Sequence, residues 1–142
     1  MKQRILVVED HPINRELLCE WLETEGYEVT SAESLDAAFA ALRNQQPHVV
    51  LLDIQLGAED GATLATWIRQ QPTIRDIPVI AVTAHAMAAE WQRILQAGCN
   101  SCIAKPIDFK MLQNQLDKWL AISEKLAELP TLSSNGGGPQ EK

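Results

Sequence analysis

Apolar runs alternate with amphipathic segments along this chain, and most of the runs stop at a polar residue. Arg4–Val8 (RILVV), His48–Asp53 (HVVLLD), Ile77–Val82 (IPVIAV) and Cys102–Ala104 (CIA) are rich in Val, Ile and Leu. Runs this short suit strands buried on both faces of a parallel sheet. For HVVLLD, periodicity alone leaves a buried helix open; Pro47 upstream and the Gly57–Gly61 region downstream bound it and favour a strand. Glu28–Ala32 is a short, polar strand candidate, as suits a sheet edge.

Between these runs the apolar spacing turns helical. Leu17, Leu18, Trp21 and Leu22 mark a helix over 12–25, stopped by Gly26. Ser34 caps the next, with Leu35, Ala38, Phe39 and Leu42 on one face. Asp60-Gly61 opens a third, with Leu64, Ala65 and Ile68 inward, ending near Gln71-Pro72. Met87, Trp91, Ile94 and Leu95 mark a fourth, ended by Gly98. Asp108 caps the last, which turns Phe109, Leu112, Leu116 and Trp119 or Leu120 inward and runs to about residue 129. Strict alternation of five strands and five helices predicts an α/β fold, a parallel sheet with helices on both faces and right-handed crossovers. The final SSNGGGPQEK, low in apolar residues, reads as a flexible tail.

Composition narrows the function classes. The chain has 142 residues, enough for one domain with a sizeable core. Its formal net charge of −7 argues against unaided binding to nucleic acid or an anionic membrane. No apolar stretch reaches membrane-spanning length, and MKQRILVVED carries no signal-peptide pattern, so the expectation is a cytoplasmic protein. Three cysteines suggest reduced thiols. Cys99 and Cys102 form a C-x-x-C, but no second pair stands at zinc spacing and a strand follows the motif. Two small apolar side chains are the preferred reading.

The strand ends carry the candidate chemistry. Glu9-Asp10 follows the first strand, Asp53 the third, Thr83 the fourth and Lys105-Pro106 the fifth. In a parallel sheet these ends share one rim, where ligands of open α/β sheets gather. Three carboxylates there repel one another, and a divalent cation relieves that. Carboxylate oxygens, a loop carbonyl such as that of Gln55, and water suit Mg²⁺.

This constellation resembles the receiver domain of bacterial two-component response regulators, a CheY-like module. VVED at 7–10, LLDIQL at 51–56, DG at 60–61, VTAHA at 82–86 and AKPI at 104–107 carry the resemblance, which covers about residues 3–122. It implies a flavodoxin-like (βα)5 three-layer sandwich with sheet order 2-1-3-4-5. Residues 1–122 would form the receiver, and 123–142 a helix extension and tail. It further implies Asp53 as phosphoacceptor. Asp10, Asp53 and the Gln55 carbonyl would bind Mg²⁺ (Mn²⁺ substituting), with Glu9 acting through water. Thr83 and Lys105, beside small Ala84, would stabilise and sense the phosphoryl group. A cis Lys105–Pro106 bond comes with the family. The implied donor is a phosphohistidine on a sensor histidine kinase or phosphotransfer protein. The output is a change in protein contacts, with the oligomeric state left open. Such a protein is a stoichiometric acceptor that slowly loses its own phosphoryl group, not a turnover enzyme.

Two positions depart from the family pattern. Cys102 stands where an aromatic commonly follows the switch threonine inward, and Gly57 stands where many relatives have proline, which predicts a looser loop. His11 and His85 flank the rim and read as solvated loop residues. Two alternatives are a pseudo-receiver that binds partners without phosphorylation, and a Mg²⁺-dependent phosphohydrolase working through an aspartyl phosphate. The second would want another Asp two residues after the nucleophile, where this chain has Gln55.

Overall fold

The computed structural model describes residues 2–85 and 87–128. The element order is β1 (Arg4–Val8), α1 (Pro12–Thr24), β2 (Glu28–Ala32), α2 (Leu35–Asn44), β3 (Val49–Asp53), β4 (Gln55–Leu56), β5 (Glu59–Asp60), α3 (Ala62–Arg69), β6 (Val79–Thr83), α4 (Ala88–Ala97), β7 (Ser101–Ala104) and α5 (Phe109–Glu128). Five strands form one parallel sheet in the order β2-β1-β3-β6-β7. Leaving aside the small β4–β5 pair, this is the flavodoxin-like order. The tail 133–142, residue 129 and Ala86 of VTAHA lie outside the described residues.

Strand alternation sorts the core into two layers. Ile5, Val7, Val49, Leu51, Ile80 and Ile103 meet Leu18 and Leu22 of α1 and Leu112, Leu116 and Leu120 of α5. Leu6, Val8, Val50, Leu52, Val79, Ala81 and Cys102 meet α2, α3 and α4. β3 is buried along its whole length, as its unbroken apolar run requires. β2 is mostly exposed at the sheet edge.

Local chemistry sets the helix ends. Ser34 Oγ accepts from Ala37 N at 3.1 Å and Asp108 Oδ1 from Lys110 N at 3.0 Å, so both expected caps form. Gly26 follows α1 with φ 98°, a conformation that favours glycine. α3 ends at Arg69, short of Gln71-Pro72.

Phe109, expected inward, is 39% exposed, and Leu17, one of the residues that mark α1, is 56% exposed. The sheet covers only the Leu18–Leu22 stripe of α1, so Leu17, one residue round the helix, faces outward. Phe109 opens α5 at the rim and packs its ring on Trp21, 4.8 Å between centroids. On α5, Leu120 is buried and Trp119 only half-buried. Gly57, at φ 60°, lies in the turn of the β4–β5 hairpin, in which Gln55 pairs with Asp60 and Leu56 with Glu59.

One polar hub binds the lower half of the sheet to α3. Half-buried Arg69 donates from Nε to Gly98 O (3.0 Å), from Nη1 to Arg75 O (2.7 Å) and Ile77 O (2.8 Å), and from Nη2 to Asn100 Oδ1 (2.7 Å). Asn100 Oδ1 also accepts from Val79 N at 2.7 Å, at the start of β6. Arg69→Met keeps the stem but strips four acceptors of a charged donor. It should cost about 2 kcal/mol in urea unfolding; an unchanged midpoint would show that water replaces those bonds at no cost.

Candidate functional site

Sheet register brings the strand ends level. Val8 pairs with Leu52, Asp53 with Val82, and Thr83 with Ala104. The residues one step past β1 and β7 therefore flank Asp53, the last residue of β3. Glu9, Asp10 and Asp53 each bring a carboxylate oxygen within 4.8 Å of the other two. Lys105 Nζ donates to Asp53 Oδ2 at 2.8 Å and lies 3.5 Å from Glu9 Oε1. Asp53 is 4% exposed and Glu9 6%, and Asp10 is the most open of the three. Lys105 stays partly exposed, and its peptide bond to Pro106 is cis.

The cluster is short of positive charge. Burial, with Asp53 beside it, pushes the Glu9 carboxyl up to about 7, against the pull of the His11 N–H and of Lys105. Burial disfavours the Lys105 ammonium, but Asp53 and Glu9 outweigh it and hold its pKa above the ordinary value. Three hard carboxylates against one ammonium suit a small divalent cation, so the residues fit Mg²⁺. The Gln55 backbone is at hand, since Gln55 N donates to Asp53 Oδ1 at 3.0 Å.

Thr83 is fully buried at the end of β6, and its backbone oxygen accepts from Lys105 N at 2.8 Å. Its hydroxyl oxygen accepts from His85 N at 3.1 Å, which leaves the hydroxyl proton free to donate elsewhere. Ala84 and His85 are exposed beside it. Cys102 is buried on the α4 side of the sheet, where no aromatic ring comes from β7. Burial pushes its thiol up to about 11 and that of Cys99 to about 12, as expected of packing groups and not of reactive ones.

Four features at the rim lie beyond the sequence reading. His11 is the N-cap of α1: its Nδ1 accepts from Asn14 N at 3.3 Å, and its own N–H donates to Glu9 Oε2 at 3.1 Å. Arg15 Nη1 donates to Glu9 O at 3.0 Å and Asp10 O at 3.3 Å. Gln55 Nε2 and His85 Nε2 stand 2.8 Å apart and bridge the segments after β3 and β6. Asp60 joins two helices, its Oδ1 accepting from Ala62 N (3.1 Å) and its Oδ2 from Arg93 Nη1 (2.8 Å). The first left a sequence signal, a polar residue just before Pro12, and Asp60 stands in the Asp60-Gly61 pair that opens α3. The Arg15, Gln55–His85 and Arg93 contacts join residues whose spacing has no period.

The chain is similar to proteins of known family. Residues 5–117 match the family model described as response regulator receiver domain. Over 107 residues the chain is 38% identical to the polar-differentiation response regulator DivK of Brucella ovis, covering 75% of this chain and 87% of that one. The receiver domain of a sensor histidine kinase from Pseudomonas aeruginosa PAO1, solved with a magnesium ion coordinated in its active-site cleft, superposes with a TM-score of 0.78. It is 35% identical over 85% of this chain and 99% of its own. A CheY-like receiver domain protein from Methanospirillum hungatei gives a TM-score of 0.80 at 28% identity, over 88% of this chain and 98% of its own. Among the described residues, no helix is long and apolar enough to cross a membrane.

Proposed function

Because the chain belongs to the response regulator receiver domain family of two-component signalling, we propose that Asp53 is its phosphoacceptor and takes the group from a phosphohistidine. One observation supports this most. The Asp53 carboxylate sits between the Lys105 ammonium at 2.8 Å and two further carboxylates that fit a cation.

An Asp53 oxygen attacks phosphorus in line. The P–O bond forms as the P–N bond breaks, and the electron pair returns to the imidazole of the donor. Asp10, Asp53 and the Gln55 carbonyl would hold Mg²⁺, with Glu9 acting through water, and the ion would supply charge neutralisation at the phosphoryl oxygens. Lys105 moves its charge from the Asp53 carboxylate to a phosphoryl oxygen. Thr83 turns its hydroxyl proton to another. The donor is a sensor histidine kinase or a phosphotransfer protein, and the acceptor works once per phosphoryl group.

Intact mass after incubation with acetyl phosphate tests this. One phosphoryl group should appear with Mg²⁺ and disappear with EDTA. Label independent of the cation would remove Mg²⁺ from the reading, and no label at all would leave the pseudo-receiver. A phosphohydrolase is disfavoured at position 55, where a Gln amide on His85 stands in place of an acid.

Lys105 supplies the next expected outcome. Beryllofluoride with Mg²⁺, a stable phosphoryl mimic, should slow amide exchange in 83–85 and 87–97. Lys105→Ala should fold and bind the mimic more weakly, and the exchange response should shrink to a small fraction. An undiminished response would show that Thr83 alone carries the signal.

A further inference from the structure

The side of the acidic turn facing away from Asp53 is held by a residue that the proposed reaction does not use. The last backbone bond of the β1 edge runs from Glu9 N to Ala32 O at 3.0 Å. Beyond it the chain leaves the sheet, and no backbone donor takes Glu9 O or Asp10 O among the described residues. Both oxygens are instead taken by a single atom, Arg15 Nη1, at 3.0 and 3.3 Å. Arg15 sits one turn into α1, half-buried, and reaches back across the His11 cap.

We propose that Arg15 is a positioning residue for cation binding: it holds the two carbonyls of the Glu9–Asp10 turn so that both carboxylates converge on Asp53. The proposal rests on the reading that this cluster takes Mg²⁺. The turn has two holds of different kinds. His11 N donates to Glu9 Oε2 and aims that side chain. Arg15 fixes the backbone that carries both acids. Among the described residues Arg15 forms no ion pair with a carboxylate. Its guanidinium therefore stands on the carbonyl side of the turn and does not occupy the carboxylate oxygens. The Asp10 carboxylate has no hydrogen bond or ion pair among the described residues, and remains free to act as a ligand. Groups that orient metal ligands from behind commonly matter about tenfold or more to affinity.

Two variants separate positioning from bulk charge. Both bonds come from one nitrogen, so an ammonium can replace it: Arg15→Lys should bind Mg²⁺ like the wild type. Arg15→Met keeps the apolar stem but has no donor, and its Mg²⁺ Kd in calorimetric titration of the full chain should rise about tenfold. Thermal midpoints in EDTA, read beside the Kd, report any purely structural loss. They should fall far less than the Mg²⁺-dependent rise in midpoint shrinks. Arg15→Met binding Mg²⁺ as tightly as the wild type, or more tightly, would overturn the proposal, since charge removal alone predicts that direction. If Arg15→Met fails to fold, Arg15→Gln carries the same comparison, its amide being too short to span both carbonyls. Wild-type protein that takes up no Mg²⁺ would instead sink the reading of the site itself.

Discussion

Asp53→Asn should carry no phosphoryl group after any exposure to acetyl phosphate and Mg²⁺, because an amide oxygen is a poor nucleophile and binds the cation weakly. The fold should survive. The substitution removes one of three crowded carboxylates, and Lys105 Nζ, already 3.5 Å from Glu9 Oε1, can turn to that partner. Repulsion at Glu9 falls with it, since Asp53 is one of the groups holding the Glu9 carboxyl up near 7. Intact mass should therefore show a complete loss of label, while near-ultraviolet dichroism stays as in the wild type. Label persisting in this variant would place the acceptor elsewhere. Loss of the fold together with the label would make Asp53 a structural anchor and leave its chemistry undecided.

Gly61→Ala should be the most damaging single methyl group near the site. Local propensity predicts the opposite, because Gly61 has φ −59° and ψ −27°, an ordinary helical conformation. There alanine is worth about 0.4–1 kcal/mol over glycine. Packing reverses the sign. A Cβ at position 61 would overlap the backbone oxygen of Asp53 and stand 3.0 Å from Ile54 Cα and 3.1 Å from Ile54 O. Neither is the end of a flexible side chain, and Gly61 N already bonds Ile54 O at 2.6 Å. Relief requires the hairpin or the end of β3 to move, at about 3 kcal/mol. Since β3 ends in Asp53, the proposed phosphoacceptor, the initial rate of phosphorylation should fall with stability. Gly57→Ala is the matched control. At φ +60° it costs about 1 kcal/mol from backbone strain, and its Cβ would meet only Asp10 Oδ2, at 3.8 Å. Equal urea midpoints for the two variants would remove the steric argument.

Much of the fold was legible before any coordinates. The apolar run ending at Asp53 signals its own burial, and Pro47 with the Gly57–Gly61 region favours a strand over a buried helix. Ser34 and Asp108 announce their helices through short side chains that bond backbone amides within three residues. Phe109 misled for a physical reason that also leaves Leu17 outside. Helical spacing identifies a stripe but not its width, and the sheet covers less of α1 and of the α5 start than the apolar residues span. The β4–β5 hairpin was invisible because two-residue strands have too short a pattern to show a period.

The chemistry divides along the same line. Sequence alone determined which groups stand at strand ends, since each is covalently placed just past an apolar run, and the motif resemblance supplied the order that makes them neighbours. Only the tertiary structure decided the distances: Lys105 on Asp53, Arg15 on two carbonyls, His85 beside Gln55, Arg93 on Asp60. Those contacts join residues up to 52 positions apart, and they depend on sheet register and on how long polar side chains fold back over the rim. A linear pattern records what each element buries; it does not record where the free end of an arginine or a lysine comes to rest.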